Sequence, residues 1–188
     1  MRIEALVPVL LLALLPAAAG AGELRVCSDP NNLPFSNRAG QGFENKIAAL
    51  VARDLGDTLK YTFAAQHETF LKRTLHAHRC DVTMGVPVGM EGVEETRPYY
   101  ASTYVFVSRK DDGLRLTSLT DPRLRTLKIG VHLIGGDDAP PELALGKQGI
   151  VDNVRGFLIQ GDYSRPNPPA RLIEAVENKS TVMAAVWG

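Results

Sequence analysis

Residues 24–56, LRVCSDPNNLPFSNRAGQGFENKIAALVARDLG, run from a short apolar stretch through a polar loop into a long periodic segment, an order that few folds accommodate. Leu24, Val26 and Cys27 form the apolar run of a buried parallel strand, and Asp29, Pro30, Asn31 and Asn32 end it with turn chemistry. After a second turn signal at Gly40 and Gly42, Phe43, Ile47, Leu50, Val51 and Leu55 recur at helical spacing, so a helix of about three turns capped by Gly56 is expected. Strand, loop and helix in this order open a crossover unit of a parallel sheet. Loops at the carboxyl ends of such strands line the ligand crevice, which makes residues 29–42 the first candidate recognition surface.

The pattern then repeats. Leu59, Tyr61 and Phe63 alternate with polar residues, as a strand with one buried face does; Phe70, Leu71, Thr74 and Leu75 return to helical spacing; residues 80–86 form a third apolar segment broken at Pro87. Such alternation predicts a parallel sheet with right-handed crossovers. Residues 87–100 read as loop and 101–107 as a strand rich in β-branched and aromatic residues. At Arg109, Lys110, Asp111, Asp112 and Gly113 the composition changes abruptly, and a hinge is expected there. A second α/β unit follows. It comprises strands over 127–133, 154–159 and 181–187, a turn at Gly135, Gly136, Asp137 and Asp138, a helix over 140–145, a polar turn over 161–167 and a helix opened by Pro168 and Pro169. The expected organisation is a signal peptide over 1–21, a first lobe over 22–108 and a second over 109–188.

The N-terminal assignment rests on Arg2, an apolar run over 5–15 and a cluster of small residues at Ala17, Ala18, Ala19, Gly20 and Ala21, with cleavage expected between Ala19 and Glu23. An apolar core of roughly 11 residues, against about 20 needed to span a bilayer, predicts no membrane anchor. The chain carries 21 basic and 21 acidic residues without a basic stripe, which argues against nucleic acid and anionic membrane as partners. Two cysteines in an exported chain invite a disulfide between Cys27 and Cys80. If Val26 and Val82 lie on paired strands, however, the rise of about 3.3 Å per residue sets Cys80 before one strand's start and Cys27 near the other's end. That offset conflicts with the roughly 7 Å Cα limit of a bridge. Compartment favours the pair, register opposes it, and the sequence leaves it open.

Chemistry-bearing patterns are sparse. There is no Gly-x-Ser-x-Gly elbow, Walker loop or His-Glu-x-x-His helix. Glu91, Glu94 and Glu95, like Asp137 and Asp138, read as solvated surface acids, and His76 and His78 as solvated cations near a helix end. Asp29, Asn31 and Asn32 begin like a calcium loop but lack its later Gly and Glu, and an Asx turn accounts for them. Gly135, Gly136 and Asp137 could offer N–H groups to an anion, which Asp138 beside them would repel. No catalytic residue, metal or cofactor is expected, and the chain reads as a non-enzyme.

The order of motifs resembles the type 2 periplasmic solute-binding proteins, in which two α/β lobes close on a ligand across a hinge. The resemblance rests on Pro34 with Phe35, Gly42 with Phe43, and Pro98, Tyr99 and Tyr100. Longer stretches, CSDPNNLPFSN, GQGFENKIAALVARDLG, CDVTMGVPVG, TRPYYASTYVFVSR, GDYSRPNPPARLIEAV and AAVWG, resemble the MxaJ/XoxJ type, solute-binding-like proteins associated with quinoprotein methanol dehydrogenases. The resemblance implies a two-lobed type 2 periplasmic-binding-protein fold, a periplasmic location, and a quinoprotein methanol dehydrogenase and its cytochrome c as partners. Carried onto this chain, the ligand cleft would draw on Asp29, Asn31, Asn32, Phe35, Arg97, Tyr99, Tyr100 and Trp187.

Three departures qualify it. Amino-acid-binding members place an Arg after the third strand, where this chain reads Val88, Gly89, Met90 and Glu91, and an Asp where it has Trp187. Without those charge-assisted anchors, common amino acids are not expected to bind. A full member also continues past Gly188, so the resemblance implies a C-terminally truncated fold with apolar surface uncovered around Ile47, Leu50, Val51, Phe70 and Leu75. The leading reading is an accessory interaction protein. Others are a transporter receptor whose Phe35, Tyr99, Tyr100 and Trp187 stack on a neutral or apolar solute, and a dehydratase-like enzyme, against which the lack of a positioned acid and base counts.

Overall fold

The computed structural model describes residues 21–133, 139–159 and 163–188. Residues 1–20 of the expected signal peptide and the Gly135, Gly136, Asp137 and Asp138 turn lie outside the described residues. The first sheet is parallel and three-stranded. β1 (Glu23–Ser28) stands at its centre, β4 (Thr58–Phe63) pairs along its whole length on one side, and β5 (Val82–Thr83) pairs with Val26 and Cys27 on the other. Between β1 and the first helix, β2 (Asn31–Asn32) and β3 (Ser36–Asn37) form a small antiparallel hairpin that the sequence patterns did not signal. Buried Ser36 locks it to the sheet by donating its hydroxyl to the Asp29 carbonyl at 2.8 Å.

Helix α1 (Phe43–Leu55) starts where its periodicity predicts and ends on Gly56 in the left-handed region, at φ 73°. The Asn45 side chain satisfies its entry, accepting from the Gly42 and Asn37 N–H groups at 3.2 and 3.0 Å. Leu50 and Val51, expected on an uncovered surface, are open to solvent. The buried positions are Glu44, Asn45, Ala48 and Ala52, whereas Leu50, Val51 and Leu55 are 51%, 41% and 60% exposed. Ala48 and Ala52 have short side chains that allow the helix axis close to the sheet, and this small-residue face, not the bulkier apolar one, makes the contact with β1 and β4.

Cys27 and Cys80 are bridged, with their Cα atoms 5.5 Å apart. The register argument against the pair fails because β5 is only two residues long and Asp81 lies in a bend before it. The Asp81 N–H donates to the Arg25 carbonyl at 2.8 Å, turning the chain toward β1, so the rise of an extended strand does not separate the sulfurs. An ion pair between Arg25 and Asp81 spans the same junction. Phe70, at the head of α2 (Phe70–Arg73), was expected on an open surface; it is buried against the disulfide with Leu71 and Leu75 beside it.

The second sheet runs β6-β9-β7-β8. β6 (Tyr104–Ser108) is antiparallel to β9 (Met183–Trp187), which is parallel to β7 (Ile129–Leu133), itself parallel to β8 (Val154–Leu158). Leu124, Ile129, Val131, Leu145, Ile150, Met183 and Ala185 pack on the face covered by α3 (Pro140–Lys147), and Ile159, Leu172, Val176 and Ala184 on the face covered by α4 (Arg171–Glu177). Pro168 and Pro169 open a 3₁₀ turn that leads into α4. The expected boundary at residue 108 shifts: β6 belongs to the second sheet, so the chain passes between the sheets before Tyr104. Charged residues at 109–113 mark a 3₁₀ turn leaving β6, closed by an Arg109–Asp112 ion pair at 2.6 Å.

Candidate functional site

A cleft of about 1430 Å³ runs along the first sheet and α1, from Leu24 and Val51 to the sheet's carboxyl end, and meets the carboxyl ends of β7 and β9 in the second sheet. Of the residues singled out from sequence, Asn32, Phe35, Tyr99, Tyr100 and Trp187 line it. Asp29, Asn31 and Arg97 do not. Asp29 is almost completely buried and serves the loop: its carboxylate accepts from the Asn31 N–H at 2.8 Å, the expected Asx turn, and from the Gln66 N–H at 2.9 Å. Burial pushes its carboxyl up, and those two N–H groups oppose the shift. Arg97 is exposed on the loop. Asn31 joins the two halves of the molecule. Its side-chain amide donates to the Arg165 carbonyl at 2.7 Å and accepts from the Asn167 N–H at 2.8 Å.

The cleft wall is aromatic on both sides. Phe35 packs on Phe43 with ring centroids 5.4 Å apart, Phe43 meets Tyr100 edge-on at 5.2 Å, and Tyr99 lies 5.3 Å from Tyr100. Opposite them, Tyr104 and Trp187 are direct cross-strand partners, edge-to-face at 5.0 Å, and Tyr104 stacks on His132 at 5.7 Å. Such pairs fix ring positions without closing the ring faces to a ligand. Trp187 also interacts with the Tyr100 hydroxyl, linking the two walls. Burial lowers the His132 pKa and raises that of Tyr104, favouring their neutral forms.

Sequence reasoning missed Glu44. On the first turn of α1 a carboxylate ordinarily reads as a surface partner of the helix dipole, and no neighbouring motif marks it. In the structure it is 3% exposed, lines the cleft, and has its pKa raised by burial to about 7. Its Oε1 lies only 2.0 Å from where a Cβ on Gly85 would stand, and Gly85 has φ 71°. The Gly85 N–H donates to the Tyr99 hydroxyl at 3.1 Å, so carboxyl, glycine and phenol meet in one corner. Tyr99 is pushed up to about 12, by burial first and by the Glu44 charge second. Glu44, Glu68, Glu94 and Glu95 are the carboxylates of the lining, and among the described residues no Lys or Arg belongs to it.

No protein-family model matches the chain. The chain is 30% identical over 178 residues to Protein MoxJ of Methylorubrum extorquens, a match covering 90% of this chain and 58% of that protein. It therefore spans less than two thirds of that relative's length. The crystal structure of the periplasmic binding protein XoxJ from Methylobacterium extorquens AM1 superposes with a TM-score of 0.69 at 37% identity, over 88% of this chain and 68% of XoxJ. The structure of MxaJ from Methlophaga aminisulfidivorans MPT superposes at 0.72 and 25% identity, over 87% and 69% of the two chains. The two α/β sheets, the cleft between them and these matches together establish that the chain belongs to the MxaJ/XoxJ-type periplasmic binding proteins of the type 2 fold.

Proposed function

We propose that the protein is a periplasmic, solute-binding-like accessory protein that assists the assembly or activation of a quinoprotein methanol dehydrogenase by direct contact, and is not itself an enzyme. Its similarity to MoxJ, XoxJ and MxaJ supports the association with that system. The observation that carries the reading is the cleft lining. A fold that in its amino-acid-binding members grips a carboxylate and an ammonium has, on the described lining here, no Lys or Arg, and Trp187 in place of the second anchor. Loss of both charge-assisted contacts removes the strongest part of amino-acid recognition. The aromatic walls favour a second reading, a receptor for a neutral or apolar solute.

Sedimentation velocity separates the two. The protein and a purified methanol dehydrogenase, mixed at about 10 μM each, lie above the Kd of a weak specific pair, and a faster co-sedimenting boundary is expected. Two independent boundaries, together with a solute that raises the melting temperature in a screen of neutral compounds, would favour the receptor reading.

A further inference from the structure

We propose that the corner of the cleft formed by Glu44, Gly85, Tyr99 and Tyr100 binds an organic ammonium ion, an amine or quaternary ammonium carrying apolar groups and no carboxylate. This goes beyond the accessory role and does not depend on it. Glu44 is 3% exposed, and no described residue supplies it a hydrogen bond or an opposite charge. A buried carboxyl without a partner is costly, and the direction from which a partner can still arrive is the cleft that it lines. The Gly85 N–H beside it is already spent on the Tyr99 hydroxyl. What the corner lacks is a positively charged donor.

Three observations narrow the class. Carboxylate and aromatic ring faces together suit a weakly hydrated organic cation, which gains from charge and from the ring quadrupoles at once. A calcium or magnesium ion needs several oxygen ligands, and among the described residues no group of three His, Cys, Asp or Glu is placed to hold a metal. The absence of Lys and Arg from the described lining leaves a ligand carboxylate without a permanent positive partner, so an amine is favoured over an amino acid. Burial first and the Glu44 charge second raise the Tyr99 and Tyr100 pKa values, so both phenols stay uncharged and present neutral rings to a cation.

Trp187 is the chain's single tryptophan and lines the same cleft, so its fluorescence reports occupancy directly. Tetramethylammonium and n-butylammonium are titrated into the full chain at pH 8, beside neopentyl alcohol and n-pentanol as neutral counterparts and butyrate as the anion. The expected result is a saturable change with the ammonium ions, tighter by about tenfold or more than with the neutral compounds, as a desolvated cation contact implies, and none with butyrate. Glu44→Gln should remove that preference while leaving the circular-dichroism melt cooperative. If Glu44→Gln does not fold, Glu44→Asp, which keeps the charge and withdraws it by one methylene, should weaken ammonium binding selectively. Equal binding of charged and neutral compounds, an unchanged preference in the folded variant, or no ammonium response at the solubility limit overturns the proposal.

Discussion

Gly85 answers to two demands at once: a backbone in the left-handed region and the space that the Glu44 carboxyl occupies. Gly85→Ala is expected to cost about 1–3 kcal/mol for the backbone conformation alone, with more from the collision with Glu44. In a Glu44→Ala background the collision disappears, so the same substitution should cost measurably less; urea denaturation of the four proteins checks this. Glu44 also gives stability a pH dependence. Its folded pKa, about 7, lies above the ordinary value of 4.5, so the folded state binds the proton more tightly and stability falls as pH rises from about 4.5 through 7. The loss is on the order of 3 kcal/mol, complete by pH 8, and absent from Glu44→Gln; unfolding midpoints of the two proteins from pH 5 to 8 would reveal it. Neither residue was legible in the sequence, where a glycine after an apolar run and an acid on a first helical turn have ordinary explanations. What makes them a site is a contact across 41 positions of chain, which no local pattern encodes.

At the scale of elements, the strands and helices fall close to where hydrophobic period placed them, because β1, β4, β7 and α1 each carry a long enough repeat to specify their type. Period does not say which face of a helix meets the sheet. In α1 the apolar stripe loses to Ala48 and Ala52, whose small size governs the approach distance. Nor does it say which sheet a strand joins: β6 pairs through backbone groups with β9, far away in sequence, and the charged run after it marks only a turn. The disulfide was undecided for the same reason, since a two-residue strand escapes the geometry of a long one. Closing a loop with a sequence separation of 53 should contribute about 4 kcal/mol. A Cys27→Ser, Cys80→Ser double variant is therefore expected to lose most of that, and the wild type in strong reductant should match it in chemical denaturation.

For the whole molecule, the described links between its two halves include the chain leading into β6, the Tyr100–Trp187 contact across the cleft and the Asn31 bridge to residues 165 and 167. The loop carrying that bridge is steadied by the Arg165–Glu174 ion pair at 2.6 Å. Asn31→Ala removes both hydrogen bonds without touching either core, so the cleft should open on average and the radius of gyration in solution scattering should rise. An unchanged scattering profile would show that the bridge follows closure without maintaining it. The eight cleft candidates read from sequence divide along this line: the four aromatic residues and Asn32 reach the cleft wall, whereas Asp29 and Asn31 hold the frame and Arg97 faces solvent.

The position of β9 bears on the order in which such a chain can become structured. Among the described residues the first sheet is built from segments up to Thr83, so its three strands can pair while later residues are still being made. In the second sheet β9 sits between β6 and β7, and until Trp187 emerges those two strands have no shared neighbour and leave bare edges lined by Val105, Val107, Ile129 and Val131. Unpaired strand edges recruit other chains. A chain made from its N-terminus thus passes through an interval with the three strands of the first sheet paired and the second sheet sticky, and the length of that interval is set by the synthesis of the residues between Ser108 and Met183.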